Sequence, residues 1–384
     1  MPGVTDMKDE ARQSVEEVDE TLRDISRWML ENPELAYREF DSSARLVEFL
    51  TGSGFEVDYP AYGLDTAFAA RLGDSGPQVV ICAEYDALPG VGHACGHNII
   101  ATAAVGAGHA LAPLVERLGI RLTILGTPAE ENYGGKVDLI EAGAFDGVAA
   151  AMMVHPSTTD VVDPRVIAVA HLDVHYHGKA AHASAFPQLG INALDAAVQA
   201  YVNVSTLRQH LYPTDKVHGI IAEGGDAPNV IPDHTRSSWY VRAETRRRLE
   251  DLLPRVTACF DAAATATGCS VVVENVGNVY DELDSHPILV EIYEQNSAAL
   301  GRTMLRGEDL PPSQTGSTDM GNVSKLVPTI HPMLSIHSLP AVNHQKEFAA
   351  HTVTPAGEKA IVDGALSMAW TVIDLATEDR WSEL

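Results

Sequence analysis

Residues 82–98, CAEYDALPGVGHACGHN, gather thiol, imidazole and carboxylate groups into one polar loop. The apolar lead-in Val79-Val80-Ile81-Cys82-Ala83 stops at Glu84 and Asp86, and His93, Cys95 and His97 alternate beyond Gly90 and Gly92. These donor types suit a borderline metal such as zinc. Two later segments repeat the design. Residues 120–126, IRLTILG, run into Thr127-Pro128-Ala129-Glu130-Glu131, and residues 148–154, VAAAMMV, run into His155-Pro156. Open α/β sheets bind ligands at the carboxyl ends of their strands. Three such runs lying parallel would bring Cys95, His97, the Glu130/Glu131 pair and His155 to one edge. The expected donors are Cys95, His97, Glu131, His155 and one late histidine among His331, His337 and His344. Five donors exceed the need of one tetrahedral catalytic ion. Two ions sharing a bridging ligand use them all, and two-metal sites serve hydrolysis. Glu130 is then free to act as general base. Taken alone, the two glutamates read as a helix N-terminus favoured by the macrodipole.

The elements that must position these groups follow from periodicity. Val15, Val18, Leu22, Ile25 and Met29 recur at three and four, predicting a helix over 6–31. Further helices are expected over 39–52, 99–117, 286–300 and 354–377, with strands at 55–59, 66–72, 78–83 and 326–336. The helix after HACGHN is rich in Ala and Gly, which allows close packing on a sheet. From about residue 168 the pattern becomes alternating: Leu172, Val174 and Tyr176 oppose Asp173, His175 and His177. Helices near 191–210 and 245–267 and strands at 216–223, 235–243 and 270–276 complete a β-α-β-β-α-β order, the ferredoxin-like arrangement. The expected fold is α/β. A catalytic domain (residues 1–168 and 284–384) carries a mixed, largely parallel sheet flanked by helices, and an α+β domain (169–283) is inserted into it. His171, His175 and His177 read as a solvated strand face or a dimer edge, and His93 as structural or on the surface.

The chain has 384 residues, more than one ordinary core accommodates. A net charge of −27 argues against nucleic acid and anionic membrane surfaces as partners. Cys82, Cys95, Cys259 and Cys269 show no disulfide spacing, which suits a reducing compartment. With no signal-peptide pattern at the start and no apolar run of about 18 residues, the expected address is the cytoplasm, without a membrane span.

The motifs NPELAYREF, AEYDALPG, HACGHN, TPAEE, MMVHP, GKAAHAS, APNVIPD and GSTDMGNVS occur in order along nearly the whole chain. The ordered set resembles the dinuclear metallopeptidase family of aminoacylases, glutamate carboxypeptidases and auxin-conjugate amidohydrolases, nearest its dipeptidase and aminobenzoyl-glutamate hydrolase branch. The resemblance implies that the inserted domain is a lid that also forms a homodimer contact. It implies metal ligation by Cys95, His97, Glu131, His155 and His344, with Glu130 as general base. It further implies an outer carboxylate at Asp86, an oxyanion-stabilising His182 that reaches a partner subunit's site, and a grip on the substrate carboxylate by Asn229 and Arg242. Two positions depart from the pattern. Glu84 stands where many relatives have His or Asp, removing one ligand of the aminopeptidase-like branches, and Asn98 replaces an Asp usual in the auxin-conjugate branch.

The expected reaction is hydrolysis of an amide bond in an N-acyl-amino acid or unusual dipeptide. It releases an amino acid with a free carboxylate and uses two zinc or manganese ions, cobalt also being admissible. The alternative is a non-catalytic acyl-amino-acid binding protein on the same scaffold. A cysteine hydrolase using Cys95 with His97 ranks last, since no oxyanion motif accompanies the thiol.

Overall fold

Met7, Ala11, Val15, Leu22, Ile25 and Met29 are buried along one face of the first helix, Val4–Glu31, as their spacing requires. The computed structural model describes residues 4–384 except Pro312 and the side chain of Asn132. The chain divides into two units. One comprises Met1–Arg165, Leu283–Gln314 and Asn322–Leu384, and the other Val166–Glu282 and Thr315–Gly321.

The first unit is built on a mixed sheet in the order Glu56–Asp58, Phe68–Leu72, Arg121–Gly126, Gln78–Ala83, Val148–Met152, Thr329–Ile330. Gln78–Ala83 pairs parallel with both Arg121–Gly126 and Val148–Met152, and these central strands are nearly all buried. The three apolar runs therefore end on the same edge. The small-residue helix spans His97–Leu111, shorter than expected because Pro113 opens a 3₁₀ turn. Its glycines serve close packing: a Cβ on Gly106 would lie 2.9 Å from Leu22 Cδ1 and 3.2 Å from Ala365 Cβ.

The strand expected over 326–336 is instead two short ones, Thr329–Ile330 and Met333–Ser335. Pro328 and Pro332 deny the ladder its amide donors. Met333–Ser335 enters a small second sheet with His155–Ser157, Val161–Asp163 and Leu305–Arg306. Two helical stretches, His97–Leu118 and Pro355–Thr377, are long and apolar enough by length and composition to cross a membrane. Both are core elements, with 83% of each apolar window buried in the fold.

Arg302 fastens this unit internally. Only 8% exposed, its guanidinium meets Asp160 and Asp363 at 2.6 Å each. Removing one partner of a buried charge set leaves the others uncompensated, at about 3–5 kcal/mol. Lys359 still covers Asp363, so Arg302→Met is expected near the lower figure, about 3 kcal/mol, read from the shift of the urea midpoint.

The second unit contains Ala168–His177, Ala193–Leu207, Lys216–Glu223, His234–Ala243, Arg246–Thr267 and Ser270–Asn275 in succession. Its strands form an antiparallel sheet in the order fourth, first, third, second, the ferredoxin-like order. Ala168, Ala170, Leu172, Val174 and Tyr176 face the helices and form its core with Trp239 and Phe260. His171 is a correction to the solvated face: it is buried, 4.2 Å from the Tyr240 ring and 5.3 Å from the Tyr280 ring by centroids. Thr315–Gly321, in a segment assigned by sequence to the first domain, belongs to this unit. Ser317 bonds the Ile167 carbonyl at 2.7 Å and receives Arg242 at 2.6 Å.

Candidate metal centre

Each donor is aimed by a specific feature of its element. Beyond Gln78–Ala83 the chain carries Glu84 and Asp86, both buried. Gly96 precedes the His97 helix at φ +84°, and a Cβ there would sit 2.4 Å from Pro156 Cγ. Only glycine suits that backbone and that approach, so the HACGH loop can lie against the His155 strand. After Arg121–Gly126, Ala129 takes a positive φ of 59° and starts the short helix Glu130–Tyr133. Such strain in a residue with a side chain is held by its surroundings, and here Glu39 accepts the Ala129 amide at 2.9 Å. The two glutamates thus start a short helix and both stand 3.9 Å from His97 Nε2.

The donors meet within the first unit. Cys95, His97 and His155 form one group whose ligand atoms lie within 4.8 Å of one another, Cys95, Glu131 and His344 a second, and Glu84, His97 and Glu130 a third. Cys95 and His97 each belong to two groups and so join them. Cys95 Sγ lies 3.5 Å from His155 Nε2, and His344 Nε2 lies 3.6 Å from Glu131 Oε1. His97 Nε2 stands 3.9 Å from both Glu130 Oε2 and Glu131 Oε1. Of the late histidines, His344 reaches Cys95 and Glu131; its φ of 71° and a bond from its amide to the Ala94 carbonyl at 2.8 Å turn it there. His331 is buried beside the His155 ring at 5.4 Å, and His337 is exposed.

The outer contacts set the imidazole tautomers. His97 Nδ1 donates to Asp86 Oδ1 at 3.0 Å, and His155 Nδ1 donates to the Pro156 carbonyl at 2.8 Å. In the neutral form each ring then presents its Nε2 lone pair to the centre, the arrangement found around metal-bound histidine. Asp86 also accepts the Glu131 amide through Oδ2 at 2.9 Å, so one carboxylate orients two donors.

The electrostatics call for cations. Burial pushes the Cys95 thiol up, and the Glu131 charge adds to it. Burial likewise raises Glu131 to about 7, against the pull of His97. Burial lowers His155 to about 3. Burial also opposes charge on His97, but Asp86 and Cys95 outweigh it and hold that imidazole well above its usual value. Among the described residues, His97 Nε2, Glu84 Oε2 and Glu131 Oε1 are buried without a hydrogen-bond partner. Divalent ions would satisfy all three and release the thiol proton, so the donor set fits a metal pair.

In the second unit, His182 Nδ1 accepts the Ser184 and Ala185 amides at 3.3 and 3.2 Å, leaving Nε2 as the donor nitrogen of the neutral ring. Asn229 lies alongside, its carbonyl accepting the Ala183 amide at 3.0 Å. Arg242 is not with them. It pairs with Val169 at one end of the sheet, whereas His234 pairs with His177 at the other, roughly 26 Å away for eight residues of strand.

Glu39 and Lys136 are buried site neighbours that sequence reasoning did not single out. Glu39 lies in NPELAYREF, where it is one of two acids in a matched motif. Burial, with the Asp86 charge behind it, raises Glu39 to about 7. A carboxyl raised on folding contributes stability below its unfolded pKa, lost as pH rises through the folded one. At about 1.4 kcal/mol per unit, a rise from 4.5 to about 7 amounts to about 3 kcal/mol. Glu39→Gln is therefore expected to gain up to that much relative to the parent between pH 4.5 and 8. Urea midpoints of chelated protein at both ends measure it; parallel midpoints would refute it.

Comparison with known proteins completes the picture. Residues 167–267 match the peptidase dimerisation domain of the M20 family. The Xaa-Arg dipeptidase of Mus musculus is 39% identical over 388 residues, covering 96% of this chain and 89% of that protein. One of the p-aminobenzoyl-glutamate hydrolase polypeptides of Escherichia coli K12 is 31% identical over 269 residues, covering 65% of this chain and 56% of that protein. A solved dinuclear metal-binding M20 peptidase from Bacillus subtilis shares the fold at a TM-score of 0.67 and 20% identity, over 94% of this chain and 99% of that one. The chain belongs to the M20 family of metal-dependent peptidases and amidohydrolases.

Proposed function

We propose that this enzyme hydrolyses the amide bond of dipeptides or N-acyl-amino acids and releases an amino acid with a free carboxylate, using two divalent ions, zinc or manganese. Dipeptides with a C-terminal basic residue are the first substrates to test, given the Xaa-Arg dipeptidase at 39% identity. The observation that carries the reading is the convergence of Cys95, His97, Glu131, His155 and His344 in overlapping groups, with Glu130, which follows a strained turn, 3.9 Å from His97 Nε2. The ions, when bound, polarise the scissile carbonyl and acidify water. Glu130 takes a proton from the attacking water and returns it to the leaving amine. Asp86 keeps His97 and Glu131 aimed throughout. His182 of one lid donates Nε2–H to the oxyanion, and Asn229 beside it, together with Arg242 of the other subunit's lid, receives the substrate carboxylate.

The separation of His182 from Arg242 along one lid supports a homodimer in which each lid's His182 serves the other subunit's site. The four free cysteines favour a reducing compartment, the cytoplasm. The decisive assay is a panel of Xaa-Arg and Xaa-Lys dipeptides and N-acyl-amino acids, with and without chelator. Hydrolysis is expected, abolished by chelator and restored by zinc or manganese. Binding without turnover would favour a carrier, and turnover indifferent to chelator would remove the metal from the mechanism.

A further inference from the structure

Lys136 is fully buried and donates Nζ to Glu84 Oε1. Its position is set by the glycines before it. Gly134 takes φ +71°, and a Cβ on Gly135 would lie 2.0 Å from the Pro128 carbonyl oxygen. The first turn of Gly135–Glu141 is thereby pressed against the loop that bears Glu130, and Lys136 points inward. The pair engages only one oxygen of Glu84. The other, Oε2, is buried with no hydrogen-bond partner among the described residues and stands 3.6 Å from His97 Nε2, which is equally unpartnered.

A carboxylate that served only to neutralise a buried lysine gains nothing by leaving an oxygen unsatisfied beside a bare imidazole nitrogen. Two ligand atoms bound to one ion at about 2.0–2.2 Å each lie roughly 3–4 Å apart, and the Glu84–His97 separation falls in that range. Glu130 Oε2 completes the same group.

We propose that Glu84 is a further metal ligand, binding through Oε2 while Lys136 holds Oε1 and so fixes which oxygen is presented. Lys136 is a positioning residue: it keeps the carboxylate monodentate and offsets one negative charge of a donor set rich in acids. Glu84 thus supplies an oxygen donor at the position where the family motif departs. The inference rests on the dinuclear reading above.

The test compares the full-length parent, Glu84→Gln and the double variant Glu84→Gln/Lys136→Met, which removes both buried charges and so guards against misfolding. Each is dialysed against buffered zinc and assayed for metal per chain, then loaded with cobalt for absorption spectra. The parent is expected to hold two ions. In both variants the thiolate-to-cobalt band of Cys95 stays, while affinity for the second ion falls by at least about tenfold, the lower bound for losing even an outer partner. Lys136→Met with Glu84 intact is expected to keep two ions but show changed cobalt d–d bands as the freed carboxylate reorients. Two ions bound with parental affinity in the double variant would overturn the assignment. A parent that binds one ion or none would instead overturn the dinuclear reading itself.

Discussion

Glu130→Gln is expected to lower kcat by about a hundred- to ten-thousand-fold, the usual worth of a positioned general base, with metal content unchanged. The substitution is nearly isosteric, so the turn set by Ala129 and Glu39 persists. Glutamine presents an oxygen where Glu130 Oε2 stands, 3.9 Å from His97 Nε2, but has no basic site to accept the water proton. Kinetics on the best panel substrate and metal analysis of the same preparation separate the two effects. Parental turnover would end the base assignment, and loss of metal would make Glu130 a ligand.

The second large effect is expected at Asp86. Its two oxygens do different work: Oδ1 receives His97 Nδ1 and Oδ2 receives the Glu131 amide. Asparagine has one acceptor oxygen and so keeps one of these bonds and opposes the other. If the amide nitrogen faces His97, it selects the tautomer with hydrogen on Nε2, the nitrogen aimed at the centre. Asp86→Asn is expected to weaken metal binding by about 10–100-fold and to reduce activity at limiting metal, with recovery at high metal. Competition titration against a chelating dye measures the first, and a metal-dependence curve of kcat the second. Unchanged affinity would show that Asp86 merely caps the Glu131 turn.

Much of this was legible along the chain. The three apolar runs announced buried parallel strands because a strand covered on both faces must be continuously apolar. The acids and imidazoles just after them could only lie at the strands' carboxyl ends. The alternation from residue 168 marked a sheet covered on one face, and its antiparallel order followed. Single positions misled where tertiary neighbours outweighed local pattern. His171 alternates like a solvent-facing residue, yet Tyr240 and Tyr280 cover it. The apolar run over 326–336 implies one long strand, yet its two prolines break the ladder into short pieces.

By itself the sequence determined which donor types exist, in what order, and that they end buried strands, because composition and periodicity are local properties. Only the tertiary structure decided which donors share a space. It brought His344 rather than His337 to Cys95 and Glu131, gave Asp86 two partners, and set Lys136 against one oxygen of Glu84. Those choices depend on positive-φ turns at Gly96, Ala129, Gly134 and His344 and on packing between segments far apart in the chain, where an ångström decides whether a side chain is a ligand or a neighbour.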